Sequence, residues 1–114
     1  MAYLVDIKLQ GAKLQRANFQ GAELIEAHLC GSILLEANLI GATLWGAHLQ
    51  GANLQGVDLR KAKNITIEQL SKVKTLYKAK LDPEIEEQIR EKCPHLLEEP
   101  KDNGKDGQSI DPNS

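Results

Sequence analysis

Aromatic residues are scarce in this chain of 114 residues: one Phe, one Trp and two Tyr, 4% of the total. Any core must then be filled by small and medium aliphatic side chains, which the 41% hydrophobic content can supply. A run of about 20 apolar residues is also missing, so no segment reads as a membrane span. Met1–Gln10 lacks a basic stretch followed by an apolar one, which argues against a secretory leader. Only two cysteines occur, Cys30 and Cys93, without framework spacing, and they read as free thiols of a cytoplasmic protein. Charge of one sign is lacking too. Residues 1–63 hold six bases and five acids and the remainder eight and eleven, a net of −2 that predicts no nucleic-acid partner.

What the chain does have is an internal period, the feature to seek before any other. Leu or Phe stands at every fifth position: Leu4, Leu9, Leu14, Phe19, Leu24, Leu29, Leu34, Leu39, Leu44, Leu49, Leu54 and Leu59. Two residues before each of these is a small or medium side chain, among them Ala2, Ala12, Ala17, Ala22, Ala27, Ala37, Ala42, Ala47 and Ala52, with Ile7, Ser32 and Val57 as departures. Glycine recurs two residues after the leucine, and the unit reads A-x-L-x-G. On an α-helix five residues turn about 500°, so successive leucines would cover every side of it. On a flat strand an odd period throws alternate leucines to opposite faces. The pattern is satisfied when Ala and Leu point inward from one short extended segment and the chain turns the same way after each unit, winding into a solenoid.

These units resemble the pentapeptide-repeat family, whose consensus A-(D/N)-L-x-x is visible in ANFQG (17–21), ANLIG (37–41), ANLQG (52–56) and VDLRK (57–61). The resemblance covers residues 2–63. It implies a right-handed quadrilateral β-helix, an all-β solenoid with four units or twenty residues per coil, hence about three coils and a shaft about 14 Å tall. The twelve Leu/Phe positions and the eight alanines from Ala12 to Ala52 are then the expected structural core. Ser32 brings a hydroxyl inward that needs a backbone partner.

The chain divides into a repeat shaft over 2–64, a C-terminal helical cap over 65–97 and a disordered tail over 98–114. The shaft is expected to stop where Asn64 replaces the next leucine. Thr66 followed by Gln69 is a capping-box signature that opens a helix over Ile67–Val73. Ala79-Lys80-Leu81 reads as one last strand. Asp82-Pro83-Glu84 supplies an N-cap and a first-turn proline for a second helix from Pro83 to about Lys92. Nothing comparable precedes Leu4. Either the N-terminal coil pairs with a second copy, as a two-fold homodimer, or the chain is a fragment of a longer protein.

With a register of twenty, Val5, Ile25 and Trp45 fall in one outward column, and Leu35 and Ile40 add apolar character to the middle coil. These five residues are the candidate interaction surface, since contiguous exposed apolar area usually meets a partner. His28, His48 and Cys30 are zinc-ligand types on one face but lack a motif, and a stacked ladder is the simpler reading. Asn18, Asn38 and Asp58 form a column expected to bond side chain to side chain. No catalytic constellation, metal site or cofactor motif appears, and a shaft filled with Ala and Leu leaves no interior pocket. The reading is a non-enzymatic structural or protein-interaction module. Family resemblance offers two alternatives: a DNA-mimicking, gyrase-binding protein of the quinolone-protection kind, and the soluble part of a membrane-associated member.

Overall fold

In the computed structural model, which describes residues 3–100, every five-residue unit ends in a turn. Ala2 of the first unit and residues 101–114 of the expected tail lie outside the described residues. Each Leu or Phe carbonyl accepts the N–H three residues on, from Ile7 N–H to Leu4 O at 3.3 Å through to Ala62 N–H to Leu59 O at 3.1 Å. The residue before each of these donors has a positive φ, which marks a type II turn. Seven of these corner positions are glycine; the other five, Asp6, Arg16, Glu26, Glu36 and Lys61, hold φ at 58–64° without that freedom.

Between corners the coils pair in register. Parallel bridges link Tyr3, Glu23, Thr43 and Lys63 in one column, then Lys8, His28 and His48, then Lys13, Ile33 and Asn53, then Asn18, Asn38 and Asp58. The step is twenty residues and the columns are four. Pairing consists of isolated bridges rather than continuous strands, because the turn consumes the central residues of each unit and the corner redirects the chain before a ladder can lengthen. Backbone amides nevertheless find partners in the coils on both sides, as with Leu24 N–H to Thr43 O and His28 N–H to Ile7 O, both 2.8 Å.

Inward side chains of the middle coils are sealed: Leu24, Leu34, Leu44, Leu54, Ala27, Ala42, Ala52 and Val57 have no exposure. Leu29, Leu39, Leu49, Leu59, Ala22, Ala37 and Ala47 are buried as well. Ser32 is fully buried, and its hydroxyl donates to Leu29 O at 2.8 Å. The first coil packs against the core from one side only. Leu4, Leu9, Leu14, Phe19, Ala12 and Ala17 are only half-buried, since they have a coil on one side and no described element on the other.

The coil path also continues past Asn64. After Lys63 pairs with Thr43, helix α1 (Ile67–Ser71) takes the place of one side of the square, and the chain then rejoins the shaft. Thr75 bridges Asn53 and Lys80 bridges Asp58, now with a step of twenty-two. Leu76 and Leu81 follow these bridge residues as Leu54 and Leu59 follow theirs, and Lys78 adopts the corner φ of 62°. The side at Thr75 is hidden in the sequence because Lys74 holds the position where a small residue is due.

α1 ends at Ser71, short of the expected Val73. Its capping box is present: Gln69 N–H donates to Thr66 Oγ1 at 3.1 Å, and Gln69 Oε1 accepts from Thr66 N–H at 2.8 Å. Gln69 Nε2 donates to Leu44 O and Ala47 O, both at 2.9 Å. In the lower coils the carbonyl matching Ala47 receives a backbone amide, as Ala27 O does from His48 N–H. The Gln69 amide thus replaces the missing side. Helix α2 (Pro83–Lys92) and a 3₁₀ turn over Pro94–Leu97 follow, placing Ile89, Cys93 and Leu96 in the core with Leu70, Val73 and Leu76. Asp82 stands at the N-cap of α2 but makes no cap hydrogen bond; its carboxylate accepts the backbone N–H of Lys61 at 3.0 and 3.1 Å.

Candidate interaction surface

The residue just after each leucine is the second of its turn and projects from a corner of the square. Asp6 N–H donates to Ile25 O and Glu26 N–H to Trp45 O, both at 2.8 Å, which stacks Val5, Ile25 and Trp45 on a single corner. Val5 is 52% exposed and Trp45 55%, with Ile25 half-buried between them. Leu35 and Ile40 do not join this column. They occupy two other corners, Leu35 between the levels of Gln15 and Gln55 and Ile40 between those of Gln20 and Arg60, and both are half-buried. Tyr3, 76% exposed on the side adjoining the Val5 corner, escaped the sequence reading because it sits at a variable position of the repeat.

A groove of about 330 Å³ opens beside Trp45, between the shaft and α1. His48 and Gln50 line it from the shaft, and Asn64, Glu68 and Lys72 from the helical segment. It lies where α1 replaces a side of the square, so the repeat pattern gave no sign of it. The polar groups here are largely engaged. Lys72 Nζ lies 3.8 Å from Glu68 Oε2, and Gln69 is spent on the cap and the Leu44 and Ala47 carbonyls.

His28 and His48 stack with ring centroids 5.1 Å apart at 26°. His28 Nε2 is 2.8 Å from Asp6 Oδ1, and this hydrogen bond holds the Asp6 carboxyl below its ordinary value. Cys30 Sγ donates to Gln50 Oε1 at 3.2 Å. Among the described residues no three His, Cys, Asp or Glu side chains converge on a metal-sized site.

The Asn18–Asn38–Asp58 column departs from expectation. Its members do not bond one another; each turns its side-chain oxygen back onto the backbone N–H two residues on. Asn18 Oδ1 accepts from Gln20 at 3.0 Å, Asn38 Oδ1 from Ile40 at 2.9 Å and Asp58 Oδ1 from Arg60 at 3.2 Å. Asn53 and Thr75 repeat the device on the adjoining side. This explains Asn or Asp before leucine: the short side chain satisfies a corner amide that points out of the ladder.

Asp58 also receives Arg60 Nε at 2.9 Å and Arg60 Nη2 at 2.6 Å. The Arg60 guanidinium holds its carboxyl below the ordinary 3.8, against an opposing push from burial. A depressed folded value stabilises the fold above the ordinary value, and this is lost as pH falls through the folded one. Asp58→Asn should therefore flatten the decline of melting temperature below pH 3.8, leaving the profile at higher pH parallel to the original.

A family model described as pentapeptide repeats matches the chain in eight copies, over residues 2–46 and 32–63. Among solved structures, Rfr23, a pentapeptide repeat protein from the cyanobacterium Cyanothece 51142, is 32% identical with a TM-score of 0.54, covering 70% of this chain and 54% of its own. A pentapeptide repeat protein of the Arabidopsis thaliana thylakoid lumen is 27% identical with a TM-score of 0.40, covering 69% and 53%. QnrB1, a plasmid-mediated fluoroquinolone resistance protein, is 23% identical with a TM-score of 0.39, covering 76% and 44%. The chain thus spans about half the length of these structures. No curated protein matches it.

Proposed function

We propose, from the premise that this chain belongs to the pentapeptide-repeat family, that it is a non-enzymatic interaction module: a right-handed quadrilateral β-helix with a helical cap, whose Trp45 corner receives a protein partner. The observation that carries this reading is the exposure of Trp45, the only tryptophan of the chain, at 55% and at the mouth of a groove. Tryptophan is favoured as an anchor at interfaces. The surrounding backbone is fixed by turn and inter-coil hydrogen bonds, so little ordering cost attaches to binding.

The test is affinity capture from the source cell, comparing the native chain with Trp45→Asp. A partner retained by the native chain should be lost from the variant, whose melting temperature stays unchanged because the side chain is exposed. Retention of the same proteins by both would reject the Trp45 corner.

A further inference from the structure

Charge is distributed unevenly along the shaft. Residues 60–80 contain seven bases and one acid, Glu68, whereas residues 82–100 contain seven acids and two bases. The fold places five of the first group, all but Arg60 and Lys61, in a belt around the last coil. Lys63 pairs with Thr43 on one side, Lys72 closes α1 on the next, Lys74 adjoins the Asn53–Thr75 bridge on the third and Lys80 bridges Asp58 on the fourth. Lys78 stands at the corner between the last two. All are exposed. Arg60 is committed to Asp58 and Lys72 lies near Glu68, but Lys63, Lys74, Lys78 and Lys80 form no ion pair among the described residues. The acids nearest the Lys78 corner on the coils below, Glu36 and Asp58, already hold Arg16 and Arg60, and Glu99 shares a cleft with Lys74 without pairing with it. Crowded like charges are a cost that an anionic partner relieves.

We propose that this belt binds an extended acidic polypeptide segment of a partner protein, a proposal that rests on the interaction-module reading and specifies the partner's chemistry. The belt is one coil deep, about 4.8 Å, which is the thickness of a single extended chain. A nucleic-acid duplex is several coils thick and would press its phosphates against the acidic residues that follow Lys80. Single-stranded nucleic acid relies on aromatic platforms for its bases. The belt has one aromatic, Tyr77, half-buried and with Lys78 Nζ 5.4 Å from its ring centroid. Lysine ammoniums act as adaptable point charges suited to carboxylates spaced along a flexible chain.

The experiment titrates the full chain with a labelled Glu/Ser peptide and, separately, with an oligonucleotide of equal charge, following anisotropy. Peptide binding should weaken as salt rises from about 50 to about 200 mM, and Lys74→Glu with Lys78→Glu and Lys80→Glu should weaken it about tenfold or more. The same charge change on the first coil, Lys8→Glu with Lys13→Glu and Arg16→Glu, should leave it within about twofold. Trp45→Asp should leave peptide binding unchanged, so a failure of the belt is read separately from a failure of the Trp45 corner. Absence of peptide binding, equal loss in both charge variants, or tighter binding of the oligonucleotide would each overturn the proposal.

Discussion

A chain shortened to residues 1–64 is expected to aggregate or to lose its cooperative unfolding transition under conditions where the full chain melts sharply. The truncation removes Leu70, Val73, Leu76, Ile89, Cys93 and Leu96, all buried in the common core. Fully burying one aliphatic side chain contributes about 1.5–3 kcal/mol, so the set rivals the ~5–15 kcal/mol that holds a whole domain. The cut also uncovers the tops of Leu44, Leu49, Leu54 and Leu59 and frees backbone groups now bonded to Thr75, Tyr77 and Lys80. An open edge of this kind templates association. Sedimentation velocity and a thermal melt would check it, and a shortened chain that stayed monomeric and equally stable would show the helices to be an appendage.

Leu34→Ala should lower the unfolding free energy by about 2–5 kcal/mol, toward the upper end because the site cannot collapse. Leu34 has no exposure, and its own N–H is fixed to Asn53 O at 2.9 Å while Leu14 N–H is fixed to Ile33 O at 2.8 Å. With the coils pinned in this way, the neighbouring leucines cannot move in to fill the space. Leu14→Ala, in the half-buried first coil, should cost clearly less in the same urea titration. Equal costs for the two would contradict the stacking order of the coils.

The shaft was legible because twelve units repeat one instruction: a small residue and a leucine inward, then a corner. Thr66, Gln69 and Pro83 likewise announced their helices through local chemistry. The remainder depended on groups far apart in sequence. The resumed coil at Thr75 was hidden by Lys74 and by eleven intervening residues. Asp82 looked like a helix cap, yet the backbone N–H it serves belongs to Lys61, twenty-one residues earlier. Asn38 stacks on Asn18 but bonds its own corner, because a corner amide two residues away is closer to hand than an amide in the next coil. Of the candidate surface, the Val5–Ile25–Trp45 column followed from register alone. The separation of Leu35 and Ile40 also follows once the four corners are assigned, whereas the groove beside Trp45 required knowing that α1 replaces a side.

Because Trp45 is the only tryptophan, its fluorescence reports on the proposed contact without labelling. Acrylamide quenching of the native chain, measured free and then saturated with the protein captured on it, tests the interaction reading most directly. Quenching should fall and the emission should shift to the blue in the complex, as the indole of Trp45 leaves water. Quenching equally efficient in the free and bound states would contradict it.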